Sequence, residues 1–300
     1  MLLETRGLTK LYGRTVGVLD LEFTVEAGEI FGFLGPNGAG KSTTIRLLLD
    51  LIRPTRGSAR IFGLDTRRDA VAIRTRIGNL PGEVDIWRDC TGAEVLDFFA
   101  RLRGRRVPLQ AKILERFELT PAVLARKLRD YSRGMKQKIG LAVALQHAPP
   151  FLLLDEPTTA LDPLVRESLF QILLELRAAG HTILFSSHNL SEVEQICDRV
   201  AILRAGRLVL LEQVATLRAR RVRIVDALLK DPAAPLPGEL ADALMKRHGA
   251  RIVLRVQGDI QMTLAHLASL GVDDLLVTAP PLEEVFLDFY RGNHGDGGEA

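Results

Sequence analysis

Residues 35–43 follow the template G-x-x-x-x-G-K-[ST], and this segment constrains the fold of the chain more than any other. It comes directly after the apolar run 30–34, which reads as a strand, and it opens a predicted helix at residues 42–50. Glycines let such a loop point successive backbone N–H groups inward, at a helix start whose dipole favours an anion. This segment, hereafter the phosphate loop, consists of Gly35, Pro36, Asn37, Gly38, Ala39, Gly40, Lys41, Ser42 and Thr43. The pattern predicts a nucleoside triphosphate site; the alternative is a glycine-rich turn that binds nothing.

Two side chains of the phosphate loop have the chemistry that a bound triphosphate requires. Lys41 supplies a positive charge to the β- and γ-phosphates. The hydroxyl of Ser42 is an oxygen ligand suited to Mg²⁺. The loop therefore predicts that a metal ion accompanies the nucleotide.

Length and composition indicate an ordinary globular chain of two domains. Its 300 residues are 47% apolar, which is enough for a well-buried core. Its 40 basic residues nearly balance its 37 acidic ones, so the charge does not indicate nucleic acid as a partner, and none is expected. Arginines cluster at 101–106 and 218–223, which is typical of solvated faces or linkers; a patch for nucleic acid or lipid headgroups is the alternative. Cys90 and Cys197 lack a CxxC partner, which argues against a zinc site or a disulfide framework.

The sequence also bears on membrane insertion. Its first residues lack the basic, apolar and cleavage-site features of a signal peptide. No stretch approaches the roughly 18 to 20 apolar residues that a membrane span needs. We therefore expect the chain itself to stay in the cytoplasm.

The pattern of apolar residues predicts a sheet interrupted by helices. Alternation and short apolar runs predict strands at 2–8, 19–25, 30–34, 58–62, 76–80, 151–154, 182–185 and 200–203. Residues 91–145 have a helical pattern with breaks at Pro108 and Pro121, and helices are also predicted at 163–179 and 190–196. Short apolar strands between amphipathic helices indicate a buried, mainly parallel sheet.

The composition changes near Arg218, which predicts a second, smaller domain. Residues 231–238 read as a loop or linker. A strand at 251–256, a helix at 260–270, a strand at 275–277 and a helix at 282–290 then predict an α+β unit. The resulting domains are 1–218, with a helical subdomain at about 84–148, then 219–292, and a glycine-rich tail at 293–300 that is expected to be disordered.

Two further motifs supply groups that could act on a triphosphate. Residues 152–154 form an apolar strand that ends in Asp155 and Glu156, which could face Mg²⁺ and an attacking water respectively. An acidic pair in a turn is the alternative. Residues 131–137 open a helix just before that strand, and Ser132 could also be an ordinary N-cap there.

With Ala160-Leu161-Asp162 and His188 in the order seen here, the set closely resembles the nucleotide-binding subunit of ATP-binding cassette (ABC) transporters. The resemblance covers about residues 2–215. It implies an α/β fold, namely a P-loop NTPase core with an antiparallel β edge and a helical insert, plus the small C-terminal α+β domain. It also implies that two such domains pair head to tail. Each ATP then lies between the phosphate loop of one domain and residues 131–137, hereafter the signature segment, of the other.

The resemblance assigns a role to individual residues. Tyr12 matches the aromatic residue that stacks on adenine, although a simple turn before Gly13 would also explain it. The other assignments are Glu156 as general base; His188 as switch histidine; the phosphate loop as ATP site; Ser42 and Asp155 as Mg²⁺ ligands, the latter directly or through water; Ser132, Arg133 and Gly134 as signature residues at the partner's ATP; and Asp162 at the dimer seam.

Two positions depart from the family's pattern. Gly82 stands where the family usually has a glutamine that contacts Mg²⁺. Glu83, one residue later, could substitute for it, or the metal could keep one more water. Arg133 stands where the second signature residue is usually glycine, and its guanidinium could face the partner's phosphates or lie along the helix surface.

The expected function is ATP binding and hydrolysis in a membrane transporter, coupled to separate membrane-spanning permease subunits. A second copy of the chain or a related ATPase subunit completes the dimer, at the cytoplasmic face of the cell membrane. The segment beyond about Arg220, which ends in residues 280–286, resembles the accessory domain of drug- and antibiotic-export members and so favours export. The alternative is a soluble cassette ATPase acting on ribosomes or DNA. A regulatory module without catalysis is disfavoured because Glu156 and His188 are both present.

Overall fold

The chain folds into two compact units. The first is Met1–Val214, and the second begins at Ala215. We predicted this boundary near Arg218 from the change in composition, so the structure divides the chain slightly earlier. A computed structural model describes residues 1–84, 87–104, 106–219, 222–258 and 260–278.

The first unit contains the strands and helices predicted for it. In chain order its elements are β1 (Leu3–Tyr12), β2 (Thr15–Val25), β3 (Ile30–Leu34), α1 (Lys41–Leu48), β4 (Arg56–Ile61), β5 (Leu64–Asp65), α2 (Ala70–Arg74), β6 (Ile77–Leu80), α3 (Gly92–Leu102), α4 (Gln110–Arg116), α5 (Pro121–Leu124), α6 (Arg133–Leu145), β7 (Phe151–Leu154), α7 (Pro163–Ala178), β8 (Thr182–Ser187), α8 (Leu190–Ile196), β9 (Arg199–Arg204) and β10 (Arg207–Gln213). Helix α9 (Val214–Ala219) begins at the division between the units. The sequence did not predict β5, α2 or β10, of which the first two are too short for a periodic signal.

A small antiparallel sheet forms one edge of the first unit, as predicted. Its strand order is β2-β1-β4-β5. Leu3 and Leu8 of β1 and Leu21 and Phe23 of β2 are buried in one core cluster. Alternation explains the burial of the two β2 residues, whereas a register shift between the two β1 residues interrupts the alternation in β1. The ring of Phe23 stacks 5.7 Å from that of Phe31 in β3. This sheet therefore shares its core with the strand that leads into the phosphate loop.

A second sheet carries the phosphate loop at the carboxyl end of its inner strand β3. Its strand order is β10-β9-β3-β8-β7-β6, and β9, β3, β8, β7 and β6 run parallel while β10 is antiparallel to β9. Every residue of β3, β7 and β8 is buried. Parallel strands covered on both faces read as continuous apolar runs, which is why the sequence pattern predicted this sheet correctly.

The helical insert lies between β6 and β7 and consists of α3 to α6. Thr91 caps α3 and forms a reciprocal capping box with Glu94, which explains where this helix begins. Pro121 starts α5 behind the cap residue Thr120, so this proline begins a helix at the predicted break. Arg103, at the C-terminus of α3, donates to the carbonyl oxygens of residues 74, 75 and 77. The insert is thereby tied to the start of β6.

The second unit is an α+β domain, as predicted. Its described elements are β11 (Val222–Leu229), α10 (Gly238–Asp242), β12 (Leu244–His248), β13 (Arg251–Gln257), α11 (Gln261–Leu270) and β14 (Val272–Thr278), in an antiparallel sheet of order β12-β13-β11-β14. Val225, Ile252, Leu254 and Leu267 are buried in its core. The arginine run 218–223 was predicted to be a solvated face or linker, but its last residues belong to β11.

Several predictions for the C-terminal region fall outside the described residues. These are the predicted helix at 282–290, residues 280–286 at the end of the segment that resembles the accessory domain of export members, and the tail at 293–300 that was expected to be disordered. Within the described part of the chain, none of the helices combines the length and the apolar character needed to cross a bilayer.

We predict that Gly32→Ala destabilises the first unit by about 1 to 3 kcal/mol, because it overpacks the contact between β3 and α8. A Cβ at Gly32 would lie 2.8 Å from Cγ1 of Val193 and 3.1 Å from Sγ of Cys197. Denaturant unfolding followed by the fluorescence of Trp87, the only tryptophan in the chain, measures the change.

Two further variants test the cause. Gly238→Ala is the control, because apart from its chain neighbours and the backbone of its own helix no atom lies within 4 Å of a Cβ at that position. Val193→Ala should recover part of the stability that Gly32→Ala removes. If the two substitutions are strictly additive, steric overlap between these residues is not the cause.

Candidate active site

The phosphate loop connects β3 to α1 and is closely packed at Gly35 and Gly40, whereas residues 36–38 between them are exposed. Gly38 and Gly40 have φ of +81° and +106°, in the region that favours glycine. A Cβ at Gly40 would lie 2.8 Å from the carbonyl oxygen of Gly17, and one at Gly35 would lie 2.5 Å from that of Leu203. The template glycines are thus required by the local fold as well as by a ligand.

Lys41 is buried and its ammonium group is held at the phosphate loop itself. Its Nζ donates to the carbonyl oxygens of Gly35 at 2.5 Å and Pro36 at 3.2 Å. It also lies 3.1 Å from Oε1 of Glu156, an ion pair without hydrogen-bond alignment. The positive charge predicted for phosphate binding is therefore in place and directed into the loop.

Asp155 and Glu156 directly follow β7, as predicted. Ser186 of the neighbouring strand β8 donates to Oδ1 of Asp155 at 2.7 Å and accepts from the backbone N–H of Glu156 at 2.9 Å. Glu156 has φ of 49°, which is uncommon for a residue with a side chain. The serine thus anchors the backbone that presents both carboxylates.

His188 and Lys41 meet at the carboxylate of Glu156. Nδ1 of His188 lies 2.7 Å from Oε2 of Glu156, while Lys41 lies at Oε1. His188 follows the end of β8, and its side chain is 59% exposed, whereas that of Glu156 is only 16% exposed. Three residues from three separate motifs thus form one cluster.

The signature segment packs against the chain that follows Glu156. The buried Gln137 of α6 donates through Nε2 to the carbonyl oxygens of Glu156 at 3.3 Å and Pro157 at 3.1 Å. A Cβ at Gly134 would lie 2.5 Å from the carbonyl oxygen of Ala160. Any larger residue at 134 would therefore push these two segments apart.

Two other signature residues lie at the start of α6. Ser132 is its N-cap and accepts from the backbone N–H of Met135 at 3.2 Å. This is the ordinary role that the sequence left open, and it does not exclude a second one, because Ser132 is exposed. Arg133 is also exposed and makes no hydrogen bond or ion pair with the residues that the structure describes.

Asp162 caps α7 in the same manner. Its Oδ1 accepts from the N–H of Val165 at 2.9 Å, and its Oδ2 lies 3.6 Å from Nζ of Lys138. The backbone hydrogen bond, with a smaller contribution from Lys138, lowers the pKa of this carboxyl. Asp162 is exposed and ionised at neutral pH.

Tyr12 ends β1 and its ring is about half exposed. A Cβ at Gly17 would lie 2.8 Å from its Cε2, and the carbonyl oxygen of Gly17 in turn faces Gly40 of the phosphate loop. Nζ of Lys10 lies 5.1 Å from the ring centroid. The ring is therefore close to the phosphate loop and available for stacking.

Gly82 lies beside Asp155. A Cβ at Gly82 would be 3.0 Å from Oδ2 of Asp155, so a side chain at this position would point at the carboxylate. Glu83, the proposed substitute, is exposed. Glycine thus leaves Oδ2 of Asp155 uncovered on this side.

The residues present suit Mg²⁺ bound together with phosphates. The available donors are hydroxyl and carboxylate oxygens, of Ser42 and Asp155, which are the ligands that Mg²⁺ prefers. Oδ2 of Asp155 is uncovered at Gly82, as described above. Among the described residues no group of three or more His, Cys, Asp or Glu could hold a metal. The donor set therefore fits an ion held partly by a nucleotide and not by a protein cage.

Sequence reasoning missed Ser186 and Gln137 as parts of the site. Ser186 could have been found, because the ends of neighbouring parallel strands lie together at one edge of a sheet. Gln137 lies inside the predicted signature segment, but no sequence signal directs its amide toward the residue after β7.

The sequence of this chain is similar to those of known proteins. The family profile described as ABC transporter matches residues 18–159. The chain is 34% identical to the daunorubicin resistance ATP-binding protein DrrA3 of Streptomyces coeruleorubidus, over 94% of this chain and 93% of that protein. It is 40% identical to the daunorubicin/doxorubicin resistance ATP-binding protein DrrA of Streptomyces peucetius over 69% of this chain, but spans only 64% of that protein.

A solved structure agrees with the fold of the first unit. The structure is a dimeric, post-hydrolysis ATP-binding cassette bound to ADP and Pi, 25% identical, with a TM-score of 0.63. The aligned region covers 71% of this chain and 98% of the chain in that structure. The predicted fold class is thereby confirmed.

We predict that Lys41→Ala weakens ATP binding about 10- to 100-fold, because the lost ammonium would contact phosphates through charge-assisted hydrogen bonds. Calorimetric titration with ATP measures the dissociation constant. Lys112→Ala is the matched control, since that exposed ammonium lies on the helical insert and pairs with Glu175 of α7. An unchanged dissociation constant for Lys41→Ala would contradict the assignment of the phosphate loop.

Proposed function

Because this chain belongs to the ABC transporter family of ATP-binding subunits, we propose that it hydrolyses ATP at Glu156 and His188 and so drives a membrane exporter. The contacts of Glu156 are the observation that carries this proposal. One carboxylate oxygen is next to the phosphate-loop lysine and the other is next to His188. A water at the γ-phosphate of a nucleotide held by Lys41 would therefore lie within reach of a carboxylate base.

The hydrolytic step needs a group that accepts a proton from water. Glu156 can accept it at Oε1, the oxygen next to Lys41, while Oε2 stays in contact with Nδ1 of His188. When ATP binds, its phosphates would take the place of the loop carbonyl oxygens of Gly35 and Pro36 as partners of Lys41. Tyr12 would stack on the adenine ring.

Mg²⁺ bound with the nucleotide would neutralise charge on the phosphates. Ser42 and Asp155 are the residues proposed to hold it. Ser186 keeps the Asp155 carboxylate oriented. Gly82 leaves space at Oδ2, which suits an additional water ligand in place of the family's glutamine.

Two copies of this chain, or this chain and a related subunit, would close over ATP. Ser132, Gly134 and Asp162 would then face the partner's nucleotide and the dimer seam. The exposed positions of Ser132 at the start of α6 and of Asp162 before α7 support this arrangement. So does the dimeric state of the related cassette bound to ADP and Pi.

The transported molecules are proposed from the relatives. The two Streptomyces proteins are named for resistance to daunorubicin or doxorubicin, which supports export of a drug-like compound. Another relative, of Enterococcus faecalis, is named a bacitracin transport ATP-binding protein. These names favour transport over the alternative of action on ribosomes or DNA.

A cavity in the first unit is a suitable place for the permease. It measures about 380 Å³ and is lined by residues of α2, β6, α3 and α6, including Arg74, Phe99 and Arg103. Burial, and then the nearby Arg103, lower the pKa of His147 in this cavity to about 4, so the arginines carry its charge at neutral pH. A short cytoplasmic permease segment with apolar and acidic side chains would fit, and would hold this subunit at the membrane face.

We predict that Glu156→Gln keeps ATP binding but lowers turnover by about 10²- to 10⁴-fold, because the amide has a similar shape and cannot accept a proton. The variant should also accumulate as an ATP-bound dimer. Size-exclusion chromatography with Mg-ATP and steady-state phosphate release measure the two effects, with the unsubstituted chain as control. Multiple turnovers at the rate of the unsubstituted chain would remove Glu156 from the role of base.

For Arg133 we predict a surface position in the dimer. Arg133→Gly should then leave ATP-dependent dimerisation and its salt sensitivity nearly unchanged, because an exposed arginine contributes little. Dimerisation of the Glu156→Gln background, measured over a range of salt concentrations, tests this. A tenfold weakening, about 1.4 kcal/mol, with a flatter salt dependence would instead make Arg133 a phosphate ligand across the interface.

A further inference from the structure

Glu192 of α8 is a buried carboxylate that the mechanism above does not use. Only 8% of the residue is exposed. Its Oε2 accepts hydrogen bonds from Oγ of Ser187 at 2.7 Å and from Oγ1 of Thr158 at 3.0 Å. A guanidinium nitrogen of Arg166 lies 3.9 Å from its other oxygen.

The two hydroxyl groups that donate to Glu192 belong to residues close in sequence to His188 and Glu156, hereafter the catalytic pair. Ser187 immediately precedes His188, and its Oγ also accepts from the N–H of Asn189 at 2.9 Å. The Ser187 side chain therefore fixes the backbone on both sides of His188. Thr158 follows Glu156 by two residues, in the turn where the N–H of Thr159 donates to the carbonyl oxygen of Glu156 at 3.2 Å.

The same turn leads to the surface assigned to the dimer. The carbonyl oxygen of Ala160 faces Gly134, and Asp162 pairs with Lys138 of α6. Glu192 therefore connects this turn, hereafter the turn 157–162, to the backbone of His188. A buried carboxylate is costly unless hydrogen bonds compensate it, and here the two hydroxyls supply them.

We propose that Glu192 is a positioning residue that sets the contact between His188 and Glu156 and couples it to the turn 157–162. The proposal rests on the proposed roles of Glu156 and His188. Displacement of the turn at the dimer surface would move Thr158, and Glu192 would pass that movement to Ser187 and His188. His188 would then be aligned with Glu156 only when the turn is in place.

Substitutions that remove or restore the acceptor test the proposal in the full chain. Glu192→Ala should lower kcat on the order of tenfold, because a small misplacement of catalytic groups has a large effect, while the ATP dissociation constant stays unchanged. Glu192→Gln keeps a carbonyl oxygen that can accept from both hydroxyls, and should recover most of the turnover. Thr158→Val should lower kcat and Thr158→Ser should restore it, which tests the same link without removing the buried charge.

The control is Glu167→Gln. This exposed carboxylate of α7 accepts from Gln195 of α8, so it joins the same pair of helices away from the catalytic pair. Its turnover should equal that of the unsubstituted chain. In a His188→Ala background, Glu192→Ala should cause less than a twofold further loss, because the two residues act in one unit.

Three results would overturn the proposal. These are full turnover by Glu192→Ala, an additive loss in the His188→Ala background, or equal losses in kcat and in ATP affinity. Absence of ATP hydrolysis by the unsubstituted chain would instead refute the proposed function, so the two failures can be told apart.

Discussion

The alignment of β3, β8 and β7 as neighbouring parallel strands is the constraint on which the site depends. Leu34 at the end of β3 lies opposite Ser187 of β8, and Leu154 at the end of β7 lies opposite Phe185. Because these strands run in one direction, the segments that follow them leave the sheet at the same edge. Lys41, Glu156 and His188 are far apart in the sequence, and this register brings the segments that carry them together.

The carboxylate of Glu156 then determines the electrostatics of that edge. It is largely buried and lies between a buried ammonium group and an imidazole nitrogen. A buried carboxylate without such partners would be costly, and a buried ammonium likewise. Phosphates that bind Lys41 would release one oxygen of this carboxylate while the other stays with His188, so nucleotide binding itself would prepare the base.

Close backbone contacts at glycines join the loops around the site into one structure. Gly134 faces the carbonyl oxygen of Ala160, and Gly82 faces the carboxylate of Asp155. Gly40 faces the hairpin that carries Tyr12 through Gly17. Residues that a motif assigns to ligand contact therefore also have a packing role, and a substitution at them would change loop positions as well as binding.

The sequence by itself determined the phosphate loop, the buried parallel strands, the antiparallel edge and the positions of the acidic pair. These features depend on local periodicity, on glycine content and on short templates, which are visible along the chain. It left open whether Ser132 is a helix cap, where the Arg133 side chain lies and what surrounds Gly82. Only the tertiary structure decided that Ser132 caps α6, that Arg133 is exposed, that Gly82 adjoins Asp155, and that Ser186, Gln137 and Glu192 support the site. Ser186, Gln137 and Glu192 contact residues 155–158 after β7, which lie 19 to 34 residues away in the sequence, and no local pattern encodes which distant groups a fold places within hydrogen-bond distance.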